Sequence, residues 1–182
     1  MTHYIWHIDR CKQEFGINSL LNDTQQLSLW AKQLLSYHTG LPLDIDYSSK
    51  GKPFLKTRPD IQFSISHTSD YVAVALSDNE IGIDIEHLRL GKHHIARRFF
   101  TDEENNYLSR LPLSDFDVAF TKLWTLKEAY AKCTGTGISG SFNSTTIDLP
   151  SLSVKGSSLL SFQLTSLFDS ASALYIAICQ RD

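Results

Sequence analysis

The stretch Ile81-Gly-Ile-Asp-Ile-Glu86 has the two-residue period of a β-strand, which places Ile81, Ile83 and Ile85 on one face and Gly82, Asp84 and Glu86 on the other. Two carboxylates then project side by side, next to a residue with no side chain. Mg²⁺ takes oxygen ligands and usually keeps one or two carboxylates plus substrate phosphates, so an Asp-x-Glu strand beside open space suits it. A solvent-facing polar strand edge accounts for the same tripeptide. On the N-terminal side, Tyr71–Leu76 is a second β-prone run, and the intervening Ser-Asp-Asn-Glu has the composition of a hairpin turn. Further back, Phe63, Ile65 and His67 alternate with Ser64 and Ser66, a short strand that ends on a histidine and hydroxyls.

Tyr4–Ile8 suggests a first strand, and Leu27, Trp30, Ala31, Leu34 and Leu35 recur at helical spacing behind a capping box of Asp23 and Gln26. On the C-terminal side of the acidic strand, Thr101 with Glu104 caps a helix running through Leu111. Ser114 with Asp117 is read as the cap of a longer helix that stops before Gly135. In that longer helix Trp124, Glu128 and Lys132 fall at i, i+4 and i+8 on one stripe, which puts a third acid and a base on a shared face. An exposed Glu-to-Lys pair of about 0.2–0.5 kcal/mol explains the same spacing. From Asn143 onward the chain is Ser/Thr-rich, and its apolar residues alternate, as in LLSFQLTSL (159–167) and SALYIAIC (172–179); these are read as strands.

Composition narrows the function. Over 182 residues, 17 Lys and Arg against 20 Asp and Glu leave a net charge of −3, and 42% of residues are hydrophobic. Such a chain can bury a core, and it lacks the cationic excess with which duplex-DNA binders neutralise phosphates, so no nucleic acid partner is expected. Cys11, Cys133 and Cys179 are widely spaced and odd in number, which indicates neither a disulfide framework nor a zinc site; a cytoplasmic setting is expected. No apolar run suggests a leader or a membrane span.

KGKPFL (50–55), FSISHTSDYVAVAL (63–76), IGIDIE (81–86), RRFFTDEE (97–104) and LWTLKEAYAKCTGTGIS (123–139) occur in the order and spacing of the Sfp-type 4′-phosphopantetheinyl transferases, which this chain resembles over about residues 25–140. Gly-x-Asp-x-Glu followed by Trp-x-x-Lys-Glu-Ala-x-x-Lys is the specific part of the pattern. The resemblance implies an α+β fold, a pseudo-dimer of two similar halves, here residues 1–80 and 81–182, with coenzyme A between them. It implies transfer of the 4′-phosphopantetheine arm to a serine of an acyl or peptidyl carrier protein, with release of 3′,5′-ADP. Asp84, Glu86 and Glu128 would ligate Mg²⁺, and Glu128 would be the base for the serine hydroxyl. Lys132 would stabilise the leaving group, and His67, Lys52 and Ser66 would lie at the coenzyme A phosphates. Lys127 is counted with them as a candidate coenzyme A contact. The family often carries basic residues on its first helix for the 3′-phosphate, whereas this one has Gln25, Gln26 and only Lys32 as a cation.

RLGKHHIARRFF (89–100) holds four Arg or Lys residues and no acid, a local reversal of sign that suits an acidic carrier protein. The protein is expected to be a monomer. Two other readings stay open: a non-catalytic module that binds carrier protein or coenzyme A, and a Mg²⁺-dependent nuclease. The second is disfavoured by Leu88, where such a site wants a lysine.

Overall fold

In the computed structural model, which describes residues 1–137, 140, 142–168 and 173–182, two three-stranded antiparallel sheets repeat one connectivity. The first sheet has the order β1-β5-β4, from β1 (Thr2–His7), β4 (Gln62–His67) and β5 (Tyr71–Ser77). The second has the order β6-β10-β9, from β6 (Ile81–His87), β9 (Leu160–Phe168) and β10 (Ala173–Arg181). Each sheet thus pairs its first strand with its last, with helices and a small two-stranded ribbon in between. In the first half these are α1 (Ile8–Phe15), α2 (Asp23–Thr39) and the ribbon β2 (Ile45–Tyr47) with β3 (Pro53–Leu55). In the second they are α3 (His93–Phe99), α4 (Asp102–Ser109), α5 (Leu113–Thr134) and the ribbon β7 (Ile147–Asp148) with β8 (Ser153–Val154). The mixed α+β class is as expected.

Each long helix covers one sheet. Leu27, Trp30, Leu34 and Leu35 of α2 pack with Phe63, Val72 and Val74, while Phe120, Leu123, Ala129 and Cys133 of α5 pack with Ala177 and Cys179 of β10. Between the sheets lies a third cluster, in which Ile81, Ile83 and Ile85 meet Ala73 and Ala75 of β5 and Leu174, Ile176 and Ile178 of β10. The isoleucine face of β6 is therefore buried as its alternation predicts.

The hairpin expected between β5 and β6 does not form. Among the described residues β5 pairs with β1 and β4 and β6 with β10, so the two runs belong to different sheets. The free edge of β6 is taken instead by β4, through side chains: the Ile83 N–H donates to Ser64 Oγ at 3.0 Å and the Ile85 N–H to Ser66 Oγ at 3.4 Å. Serine hydroxyls thus satisfy edge donors that a neighbouring strand would otherwise pair.

Three local readings also shift. The cap of α2 is Asn22 with Gln25, one residue earlier than expected, and the Gln26 side chain accepts from the Asn18 N–H. Strand β1 ends at His7, with Ile8 opening α1. The Ser114/Asp117 box is absent: Pro112 precedes α5 without a side-chain cap, Ser114 bonds Asp115, and Asp117 Oδ1 accepts from the Gly91 N–H. The Thr101/Glu104 box forms as read, and Gly135 ends α5 in the left-handed conformation. The C-terminal strands are present, although Ser172 lies outside the described residues. Among the described residues, no helix is long and apolar enough to cross a membrane.

Candidate active site

Helix α5 lies against β6 because Gly82 has no side chain. A Cβ there would stand 2.0 Å from the Ala129 carbonyl oxygen and 2.4 Å from the Cys133 nitrogen. The space beside Gly82, expected to be open, is thus filled by helix backbone, and this approach brings the polar stripe of α5 onto the acids of β6. Lys132 Nζ donates to Asp84 Oδ1 at 2.7 Å and to Ser66 Oγ at 3.0 Å, while Ser66 Oγ donates to Asp84 Oδ1 at 2.8 Å. Three elements, β4, β6 and α5, converge on one carboxylate that is 4% exposed. The orienting role of Ser66, buried at the junction of the two sheets, rests on the β4–β6 contact, which a hairpin reading hides.

Glu128 shares this site. Burial, and then the charge of Asp84, push its carboxyl up to about 7, with Lys132 acting in the opposite direction. Glu86 is raised by the same two causes, burial first, and Arg89 opposes them. Arg89 grips both oxygens of Glu86, at 2.6 and 3.0 Å, and lies 4.9 Å from the ring centre of Trp124. Trp124 itself is core packing on the Phe100–Phe120 stack. His67 has Lys132 and Asp84 as charged neighbours; burial, then Lys132, lowers its pKa, which keeps the imidazole neutral at pH 7.

A cleft of about 320 Å³ opens from this cluster, walled by residues of both sheets' elements: Ser28 and Lys32 of α2, Tyr47, Lys50 and Lys52 around the β2–β3 turn, and Glu128 and Lys132 of α5. The helix read as the first in the sequence is α2, preceded by α1, and its cation Lys32 faces the cleft. Lys52 also donates to the Cys133 carbonyl at 2.6 Å, at the negative end of α5. His67 and Ser66 are not among the residues that line this cleft, although Ser66 bonds Lys132 and His67 has Lys132 as a charged neighbour. The end of the last motif, Ile138 and Ser139, lies outside the described residues.

Lys127 is a correction. It is 1% exposed on another side of α5, where its ammonium donates to both oxygens of Glu104 at 2.7 and 2.8 Å and to the Thr145 carbonyl. Successive helical residues diverge by about 100°, so a lysine adjacent to Glu128 cannot share its face. Arg89 is a second correction: paired with Glu86, it is not part of the free basic surface, which retains Arg97, Arg98, His93 and His94 as exposed residues.

The donor chemistry fits a divalent cation. Asp84 Oδ2 is buried with no hydrogen-bond partner, and the charge of Asp84 raises the proton affinity of both Glu86 and Glu128, a repulsion that a cation would relieve. As the side chains stand, however, no group of three His, Cys, Asp or Glu among the described residues is assembled to enclose an ion.

The family model of the 4′-phosphopantetheinyl transferase superfamily matches residues 80–179, just over half of the chain and the part that carries Asp84, Glu86, Glu128 and Lys132. The chain is 37% identical over 112 residues to the 4′-phosphopantetheinyl transferase psf-1 of Bacillus pumilus, across 60% of this chain and 48% of that protein. It is 37% identical over 98 residues to the 4′-phosphopantetheinyl transferase Sfp of Bacillus subtilis, across 53% and 44%. It is 34% identical over 131 residues to the L-aminoadipate-semialdehyde dehydrogenase-phosphopantetheinyl transferase of Saccharomyces cerevisiae, across 63% and 46%. The chain thus spans less than half the length of each of these relatives. With the matched segment covering β6, α5 and the set Asp84, Glu86, Glu128 and Lys132, this chain belongs to the 4′-phosphopantetheinyl transferase superfamily.

Proposed function

We propose that the protein transfers the 4′-phosphopantetheine arm of coenzyme A to a serine of an apo acyl or peptidyl carrier protein, releasing 3′,5′-ADP. The observation that carries this reading is the meeting of Ser66, Asp84, Glu128 and Lys132 at the inner end of a cleft that Lys32, Lys50 and Lys52 also line. Residues 1–80 and 81–182 act as two α+β halves with coenzyme A between them; the repeated strand order and the mixed walls of the cleft support that division.

The lysines of the cleft attract and orient the phosphates of a polyanionic substrate. His67, neutral at pH 7, hydrogen-bonds a phosphate oxygen without repelling Lys132. Glu128 takes the proton of the serine hydroxyl as its oxygen attacks the β-phosphorus. The bond to the bridging oxygen breaks, the electron pair leaves with 3′,5′-ADP, and Lys132 lies beside the charge that develops there. Asp84, Glu86 and Glu128 would hold Mg²⁺, which when bound neutralises pyrophosphate charge. Arg97 and Arg98, with His93 and His94, face an acidic carrier protein, and the enzyme works as a cytoplasmic monomer.

Intact-mass spectrometry of apo carrier proteins after incubation with this protein, coenzyme A and Mg²⁺ tests the reading. One added arm per carrier is expected, and chelation stops the addition. If carriers from fatty acid, polyketide and nonribosomal peptide pathways all stay unmodified while coenzyme A still binds, the transferase reading falls and a binding module takes its place.

A further inference from the structure

The two acids of β6 are held differently. Asp84 commits one oxygen to Lys132 and Ser66, and its Oδ2 stays buried without a partner. Glu86 commits both: Arg89 Nη2 donates to Oε1 at 2.6 Å and Nε to Oε2 at 3.0 Å. Such a fork-to-carboxylate pair is the strong form of a charged hydrogen bond. The fork is itself held in place. Its guanidinium lies 4.9 Å from the Trp124 ring centre, the Arg89 N–H donates to Thr121 Oγ1 at 3.0 Å, and the Gly91 N–H donates to Asp117 Oδ1 at 2.8 Å. The loop that carries Arg89 is therefore tied to α5, the helix that also carries Glu128.

We propose that Arg89 is an internal counter-ion that holds Glu86 and competes with a divalent cation for that carboxylate. This rests on the reading of Asp84, Glu86 and Glu128 as a cation site. It explains why the donor chemistry fits a cation while the three carboxylates are not gathered around one position. A carboxylate with both oxygens in a guanidinium fork keeps only one remaining lone pair on each oxygen for a metal, and the arginine charge repels the incoming ion. Arg89 is a positioning residue: it sets when Glu86 is available. The protein alone therefore binds the cation weakly.

The test is Mn²⁺ affinity of the full chain without coenzyme A, followed by calorimetry or by the electron-spin signal of free Mn²⁺, with thermal melts to confirm folding. Arg89→Met keeps the packing on Trp124 and removes the charge; Mn²⁺ should bind about tenfold tighter. Arg89→Lys, which can hold one oxygen only, should fall between. Adding Glu86→Gln to Arg89→Met should cancel the gain, since the effect runs through that carboxylate. Folded Arg89→Met with unchanged or weaker Mn²⁺ affinity than the binding wild type would overturn the counter-ion role and leave the cation site standing. No Mn²⁺ binding to wild type or variant, even after coenzyme A is added, would remove the cation site itself and the counter-ion role with it.

Discussion

Gly82→Ala tests whether the site depends on the contact of α5 with β6. The added methyl would lie 2.0 Å from the Ala129 carbonyl oxygen and 2.4 Å from the Cys133 nitrogen, whereas real Cβ contacts stay beyond 3.0 Å, so α5 must retreat by about 1 Å. Both contacted atoms belong to the main chain, so no side chain can swing aside to relieve the overlap. Overpacking costs about 1–3 kcal/mol, and the upper end applies to so rigid a contact. The same retreat stretches the 2.7 Å bond from Lys132 to Asp84 beyond hydrogen-bonding distance, which removes about 1–2 kcal/mol more. At about 2–4 °C per kcal/mol for a chain of this size, the melting temperature should fall by about 8–20 °C. Turnover should suffer further, because a misplacement of about 1 Å in a catalytic group can cost about 100-fold in rate. Calorimetric melting gives the first quantity, and single-turnover modification of a carrier protein, followed by intact mass, gives the second at a temperature where the variant is folded. A variant that melts within about 1 °C of wild type and retains full turnover would refute the idea that backbone contact at Gly82 sets the geometry of the site.

Lys127→Ala strands the Glu104 carboxylate in the core and should cost about 3–5 kcal/mol in urea unfolding, whereas Lys127→Met with Glu104→Gln, which removes the charge and keeps a side-chain acceptor, should recover part of it. Lys132→Ala should lower kcat at saturating coenzyme A, and His67→Ala should chiefly raise KM; equal effects on KM alone would contradict the division of roles. The Glu128 carboxyl is raised from 4.5 to about 7 in the folded, metal-free protein, so the folded state binds its proton more tightly than the unfolded chain. In chelator its contribution to stability is therefore favourable below about pH 4.5 and declines as pH rises to about 7, by at most about 3 kcal/mol. Glu128→Gln should flatten that decline in thermal melts. Arg97→Glu with Arg98→Glu should raise KM for the carrier protein and flatten the salt dependence of kcat/KM without changing coenzyme A affinity; an unchanged salt slope would remove this surface from docking.

What the sequence by itself determined is what depends on neighbours along the chain. The two faces of β6 follow from a period of two, the Thr101/Glu104 box from one helical turn, and the stop at Gly135 from a single left-handed residue. The spacing of Trp124, Glu128 and Lys132 likewise places them on one stripe, and the linear motifs point to the family. The edges that meet were not legible, because turn composition after Ser77 says that the chain reverses but not which strand lies alongside. Ser64 and Ser66 serve as edge acceptors only because β4, 19 residues earlier in the chain, lies against β6. The partner of Lys127 stands 23 residues away in another helix, and the charge on a side chain says nothing about which countercharge the fold will deliver. Arg89 reads as one of four cations in a basic run until the fold turns it back onto Glu86 and over Trp124. Local periodicity sets which way each side chain points from its own strand or helix. Which charges become partners is decided only when buried groups with no access to water must find one another, and that is a property of the packed tertiary structure.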